Sequence, residues 1–322
     1  MKQRLILYLM TLWAVLTLNF LLPRMLPGDP LQALLDPQSS TYVFDPATRA
    51  ALEADYGLDR SLLEQYAGYL VGVFTADLGH SIRLNQPVID LIRSHLPWTL
   101  LLTGSALALA SLVGIVIGTE AAWRHRSMWD TSLVTVSVIL SNAPVFFTGM
   151  VFLIVFGVWL GWLPLSGGRT PFADYSSLLA EMRDYGSHLL LPLVTLTLSL
   201  LGGKFLLVRN SMLGVLQEDF MLVARAKGLP AGQLKRRHGL RNAILPFVHH
   251  LASHAGFAIT GALFIETLFA YPGIGQLIFD SVVVRDYPVI QGVFLVVSLM
   301  VLSANLLADW LSYQLDPRLR EA

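Results

Sequence analysis

"VARAKGLPAGQLKRRHGLRNAILP" occupies residues 223–246. It carries Arg225, Lys227, Lys235, Arg236, Arg237, His238 and Arg241, and no acid. Oily sequence lies on both sides of it. Lys and Arg are retained on the cytoplasmic face of a membrane, so this segment orients every apolar run around it. Its local reading is helical. "QEDFMLVARAK" (217–227) has acids at its start and Lys227 at its end, which matches the helix dipole. Gly228 is the expected left-handed terminator. Pro230 opens a second short helix through about residue 238. A basic loop touching anionic lipid is one reading. The Gly–Pro hinge and the small pair Ala224 and Ala226 suit a docking surface better.

Composition agrees with a lipid solvent. Of 322 residues, 54% are hydrophobic and 14% charged, against about 25% charged in soluble domains. The formal net charge is zero, which gives no support to nucleic-acid binding. The absence of cysteine excludes disulfides, thiolate catalysis and Cys-based metal sites.

A spanning helix needs about 20 mostly apolar residues. Six stretches qualify: 5–26, 98–119, 133–160, 188–208, 246–269 and 289–311. The first is too long for a signal peptide's apolar region and no small-x-small cleavage site follows it, so it reads as an uncleaved span. The loop 121–130 is basic, whereas 270–288 holds one Arg and two Asp. The expected fold is therefore an all-α integral membrane protein with six transmembrane helices and both termini cytoplasmic. Residues 1–27 form the first span, 28–97 a small external helical cap, and 98–322 a five-span core. A cytoplasmic loop, 209–245, lies within that core.

The cap opens with "LPGDP" (26–30), a turn-rich exit from the membrane. In "DPATRAALEADYG" (45–57), Asp45 is the expected N-cap, Pro46 the first helical residue and Gly57 the stop. Residues 61–74 form an amphipathic helix. In the third span, Pro144 is expected to kink the helix, and Asn142 beside it to face protein or water. Glu266, near the outer end of the fifth span, reads as a structural partner or as a substrate or gating contact. His249, His250 and His254 begin that span, and His250 and His254 share a face. They read as polar lining near the cytoplasmic mouth, with metal or substrate contact as the other reading.

Neither a G-x-x-x-x-G-K-[ST] loop nor H-E-x-x-H is present. No catalytic residue, no metal ligand and no cofactor of its own is assigned to the chain, so energy must come from a partner.

The motifs extend over nearly the whole sequence. "ARAKGL" (224–229) is followed by "RHGLRNAILP" (237–246). "PGDP", "YGLD" (56–59), "DLG" (77–79) and "LPWTL" (96–100) lie in the cap. "GWLPLSG" (161–167), "LLLPLVTLTL" (189–198), "RNSML" (209–213), "ETLFAYPGIGQL" (266–277), "RDYPVIQG" (285–292) and "DPRLR" (316–320) complete the set. In order and spacing they resemble the ATP-binding-cassette importer permeases of the peptide/nickel branch. The resemblance implies that the basic loop is a coupling element seated in a separate ATPase subunit. Ala224, Arg225, Ala226, Lys227 and Gly228 would form its docking core, with His238, Arg241 and Asn242 bracing it against the bundle. Asn142, Pro144, His250, His254 and Glu266 are pathway or gating candidates. Implied partners are a second permease, identical or homologous, two ATPase subunits that bind ATP and Mg, an external solute-binding protein and the lipid bilayer of the cytoplasmic membrane. The expected cargo is peptides or related small solutes, nickel or metal chelates included. The sequence departs from the family pattern where Leu206 stands three residues before Arg209. Lys204 is expected to snorkel to the inner interface instead. The alternative is a secondary transporter driven by an ion gradient, with Glu266 and the histidines as relay. It would call for inverted repeats or broken helices in both halves.

Overall fold

The structure, a computed structural model, describes residues 2–25, 46–253 and 255–315. Its named elements are all helices, and one isolated bridge, His80 with Pro87, is present among the described residues. Contacts divide the chain into two units, Met1–Pro97 with Gly273–Met300, and Trp98–Pro272 with Val301–Ala322.

In the first unit, α1 (Lys2–Met25) packs against α3 (Leu62–Thr75). Phe20 meets Tyr66 edge-on at 5.1 Å, and Arg24 lies 3.7 Å over the Phe20 ring. Arg24 also donates from Nε and Nη2 to Gln65 Oε1 at 3.2 and 2.8 Å. Gln65 Nε2 donates to the Leu58 and Arg60 carbonyls. Ser61 and Glu64 close a capping box on α3, which satisfies two helix-end donors reciprocally. The two Ser61 donors hold the Glu64 carboxyl below the usual carboxylate range. α2 is described over Pro46–Asp55, and Gly57 follows it at φ +62. Its proposed cap Asp45, the "LPGDP" turn and Arg318 and Arg320 of the tail lie outside the described residues.

α12 (Ile274–Val284) ends in a left-handed Arg285, and the next residue is a buried acid. Asp286 is 2% exposed. It accepts hydrogen bonds from Ser81 Oγ at 2.5 Å and from the amides of Ile82 and Arg83 at 3.2 Å each. One carboxylate thus fixes the turn ahead of α4 (Val88–Trp123). Asp286→Ala would strip three donors of their acceptor, at about 1–3 kcal/mol for each buried one. Amide exchange at Ile82 and Arg83 is expected to accelerate by roughly 10- to 100-fold. Unchanged protection there would show that Asp286 does not hold the turn.

The second unit holds the rest of α4, then α5 (Met128–Asn142), α6 (Val145–Phe152) with a π-helical continuation Leu153–Trp159, and α7 (Leu178–Leu216). Its core joins Leu102 and Ala106 of α4, Leu191 and Leu196 of α7, and Ala262 and Ile265 of α11 (Ala255–Leu268). Phe269 and Tyr271 complete it, and Trp98 meets Tyr271 edge-on at 5.5 Å. Gly202 brings α7 against α5, where a methyl would run into the Ser137 carbonyl and the Ser141 hydroxyl. Small residues serve close packing of this kind between helices in lipid. At the start of α7, Asp184 accepts from the Thr170 amide at 2.7 Å and from the Tyr175 hydroxyl at 2.7 Å. The carboxylate pushes that phenol up to about 12.

Among the described residues, three helices are long and apolar enough to cross a bilayer: Val88–Trp123, Leu178–Leu216 and Tyr287–Leu307, the last within α13 (Tyr287–Leu315). A fourth follows if Met128–Asn142 and Val145–Trp159 count as one. One expectation changes in detail. The stretch 133–160 is broken and not merely kinked, for its two halves diverge by 104°. Ala143 is extended (ψ 128) and Pro144 becomes the N-cap of α6. The ring of a proline disfavours the helical conformation in the residue before it. In the stretch 246–269, Pro246 lies inside α10 (Arg241–Ser253), and α11 covers Ala255–Leu268. The first run falls on α1.

Candidate functional site: the helical hook at residues 217–240

α7 is 39 residues long, about 58 Å at 1.5 Å per residue, well beyond the ~30 Å hydrocarbon thickness. It therefore runs through 209–216, and the expected loop 209–245 is helical in its first two turns. The chain leaves α7 at Gln217, whose amide donates to the Gly214 carbonyl at 3.1 Å. α8 (Asp219–Ala226) follows, with Asp219 in its first turn and Arg225 in its last. That charge order matches the dipole. Gly228 then turns the chain at φ +71, with its amide 2.9 Å from the Arg225 carbonyl. The reversal needs a left-handed residue, which glycine adopts without a Cβ penalty. After Pro230 the chain resumes as α9 (Ala231–Gln233), a π-helical stretch Leu234–Leu240, and α10.

α8 has two unlike faces. Met221 and Ala224 are buried against Leu234, with Trp123, Val215, Leu216 and Leu229 packed around them. The other face exposes Leu222 at 68% and Val223 at 53%, together with Arg225, Ala226, Lys227 and Gly228. Ala224 is 6% exposed, so its small side chain packs on its own bundle in this structure. The outward apolar residues are Leu222 and Val223.

The bracing also differs from expectation. His238 is half-buried, while Arg241 and Asn242 are exposed. Asn242 Nδ2 donates to the His238 carbonyl one turn back, at 2.7 Å. The brace is instead Lys235, whose Nζ lies 2.6 Å from Glu120 Oε2 at the end of α4. Gly239 is buried against Met212, where a Cβ would collide with the methionine methyl. Beside this brace, Arg209 grips Asp130 from Nε at 2.6 Å and from Nη2 at 2.8 Å. The Arg126 amide donates to the same carboxylate at 3.0 Å. A two-pronged guanidinium–carboxylate contact is among the stronger polar interactions. Asp130 and Arg209 are 3% and 13% exposed at the side chain. His125 Nδ1 is 3.2 Å from both Arg209 Nη2 and Asp130 Oδ2, and one ring nitrogen serves only one of them at a time. Glu120, Asp130 and Lys235 carried no motif, so sequence reasoning passed over them. The available signal was two acids, Glu120 and Asp130, flanking a short basic loop.

Lys204 does not snorkel. It is 4% exposed, packed beside Gly114, with Nζ 5.8 Å from the centre of the Phe247 ring. A cation over an aromatic face is a recognised substitute for water.

The pathway candidates are placed as follows. Asn142 ends α5, exposed, and its Nδ2 donates to the Val138 carbonyl at 2.7 Å. Pro144 opens α6 across the break. Glu266 is wholly buried in α11, and its carbonyl accepts from the Tyr271 amide at 2.8 Å. His250 is half-buried on α10, and His254 lies outside the described residues. No group of three His, Cys, Asp or Glu able to hold a metal occurs among the described residues.

Long apolar helices joined by a two-faced hook are the architecture to be placed among known proteins. Residues 110–321 match the family described as binding-protein-dependent transport system inner membrane component. The chain belongs to that family. It is 38% identical over 319 residues to a putative peptide permease protein of Brucella suis, covering 99% of this chain and 98% of the relative. A di/tripeptide transport system permease protein of Pseudomonas aeruginosa is 33% identical over 331 residues (99% and 97%). A glutathione transport system permease protein of Escherichia coli is 36% identical over 320 residues (99% and 97%). The protein is thus a multi-pass inner-membrane permease subunit of an ABC importer. It is not an enzyme, because the ATPase is a separate subunit.

Proposed function

We propose that this chain carries small peptides, as one of two permease subunits in an assembly with two ATPase subunits and an external solute-binding protein. ATP and Mg belong to the ATPases. In this reading the chain has six spans and both termini inside. Residues 28–97 form an external cap, and the hook faces the cytoplasm. The cargo assignment rests on the names of relatives aligned over nearly their whole length. The mechanism rests on one observation. The hook is a short helix with an inward face packed on the bundle and an outward face of Leu222, Val223, Arg225, Ala226 and Lys227.

A short helix of this kind moves as a rigid body. Leu222 and Val223 offer it an apolar footing in a partner's cleft, and Arg225 and Lys227 suit acids at the rim. ATP binding that closes the ATPase pair favours one hook position, and the permease shifts between inward- and outward-facing forms accordingly. The chain with its partners in proteoliposomes should take up labelled dipeptides only when ATP and the binding protein are both present. Uptake along an ion gradient without ATP would reject this reading.

A further inference from the structure

We propose that Glu120 and Lys235 form the joint through which the hook drives α4. This inference rests on the coupling role just proposed. The hook is joined to α7 and α10 by the chain itself, so any displacement of it pulls on those two helices. α4 is remote in sequence and must be gripped by side chains.

Two grips are present, and they lie on one face. Glu120 and Trp123 are three residues apart in the last turn of α4, which makes them neighbours on the helix surface. Glu120 takes the Lys235 ammonium at 2.6 Å, and Trp123 packs on the Met221–Ala224–Leu234 cluster. The ion pair is only partly exposed, 27% at Glu120 and 22% at Lys235, so water competes less than at an open surface. A second cation, Arg124, holds the other Glu120 oxygen at 2.7 Å and fixes the carboxylate's orientation.

α4 also meets α7, through Leu102 and Ala106 beside Leu191 and Leu196, through Gly114 and Gly118 close to Lys204, Phe205, Val208 and Arg209, and through Ala122 against Met212. To this apolar packing Glu120 and Lys235 add a charged link between the end of α4 and the hook.

The test uses the assembled transporter in proteoliposomes, with labelled dipeptide uptake and ATP hydrolysis measured together. Lys235→Met and Glu120→Gln should each lower uptake per ATP hydrolysed by roughly threefold to tenfold. Exchanging the charges, Glu120→Lys with Lys235→Glu, should restore most of that loss. Failure of the exchange to restore the ratio overturns the joint. A lower melting temperature and yield with an unchanged ratio overturns it too, by making the pair a structural brace. Gly228→Val, treated below, separates the two levels. If it uncouples while the Glu120 and Lys235 variants do not, only the joint falls. If none of them uncouples, the coupling reading falls as well.

Discussion

Gly228→Val is expected to leave membrane insertion and complex assembly intact while hydrolysis continues and uptake collapses. The reason is conformational and not steric, since a Cβ at this position would meet nothing within 4 Å. Gly228 holds φ +71. An L-residue there suffers a clash between Cβ and the carbonyl oxygen worth roughly 1–2 kcal/mol, and a β-branched one is a rarer outlier still. The chain can relieve the strain by re-forming the turn between α8 and Pro230. The outward face of α8 then rotates away from its partner while the bundle stays folded. Gly228→Asn tolerates left-handed backbone better and should retain most uptake. The check is a parallel measurement of hydrolysis and dipeptide uptake. Normal uptake by the valine variant would remove the turn from the mechanism.

The second large effect concerns Asp130. Asp130→Ala leaves the Arg209 guanidinium, 13% exposed, without its carboxylate, and takes an acceptor from the Arg126 amide. Removing one member of a buried pair costs about 3–5 kcal/mol, because the survivor remains buried and uncompensated. The complex should melt well below the wild type in detergent. Asp130→Asn keeps an acceptor oxygen for Arg126 and should lie between the two. The paired variant Asp130→Ala with Arg209→Met removes both charges and should recover much of the lost stability. A single-variant melting point equal to the wild type would show that the clamp contributes nothing to stability.

The hook was legible because its signals are local. Acids before an apolar run, a basic end, Gly228 and Pro230 all act within a few residues, and α8 and the turn follow from them. The π-helical stretch Leu234–Leu240 was not legible, since nothing in "LKRRHGL" separates it from an ordinary helix. The inward turn of Ala224 was missed for a related reason. A small residue reads equally well as a docking surface and as a packing surface, and only the positions of Leu234 and Trp123 decide. Lys235 was seen as one basic residue among several. Its partner Glu120 lies 115 residues away, and pairing at that distance leaves no trace in one sequence. Long helices were overdivided. Charged residues such as Arg209 suggested an end to the fourth span, yet α7 continues through it, because Asp130 takes the guanidinium. At Ala143–Pro144 the opposite error occurred. Pro144 announced a kink there, but its size, 104°, could not be read from an oily run.

That turn has a consequence for biogenesis. Pro144 has no amide proton, so the regular pattern cannot supply a donor to the Leu140 carbonyl four residues earlier. Acyl chains supply none, and irregular backbone at membrane depth persists only where protein or a water-filled cavity adjoins it. A newly made chain released alone into the bilayer would present that corner to lipid tails. It would be a natural target for quality-control proteolysis until the corner is covered.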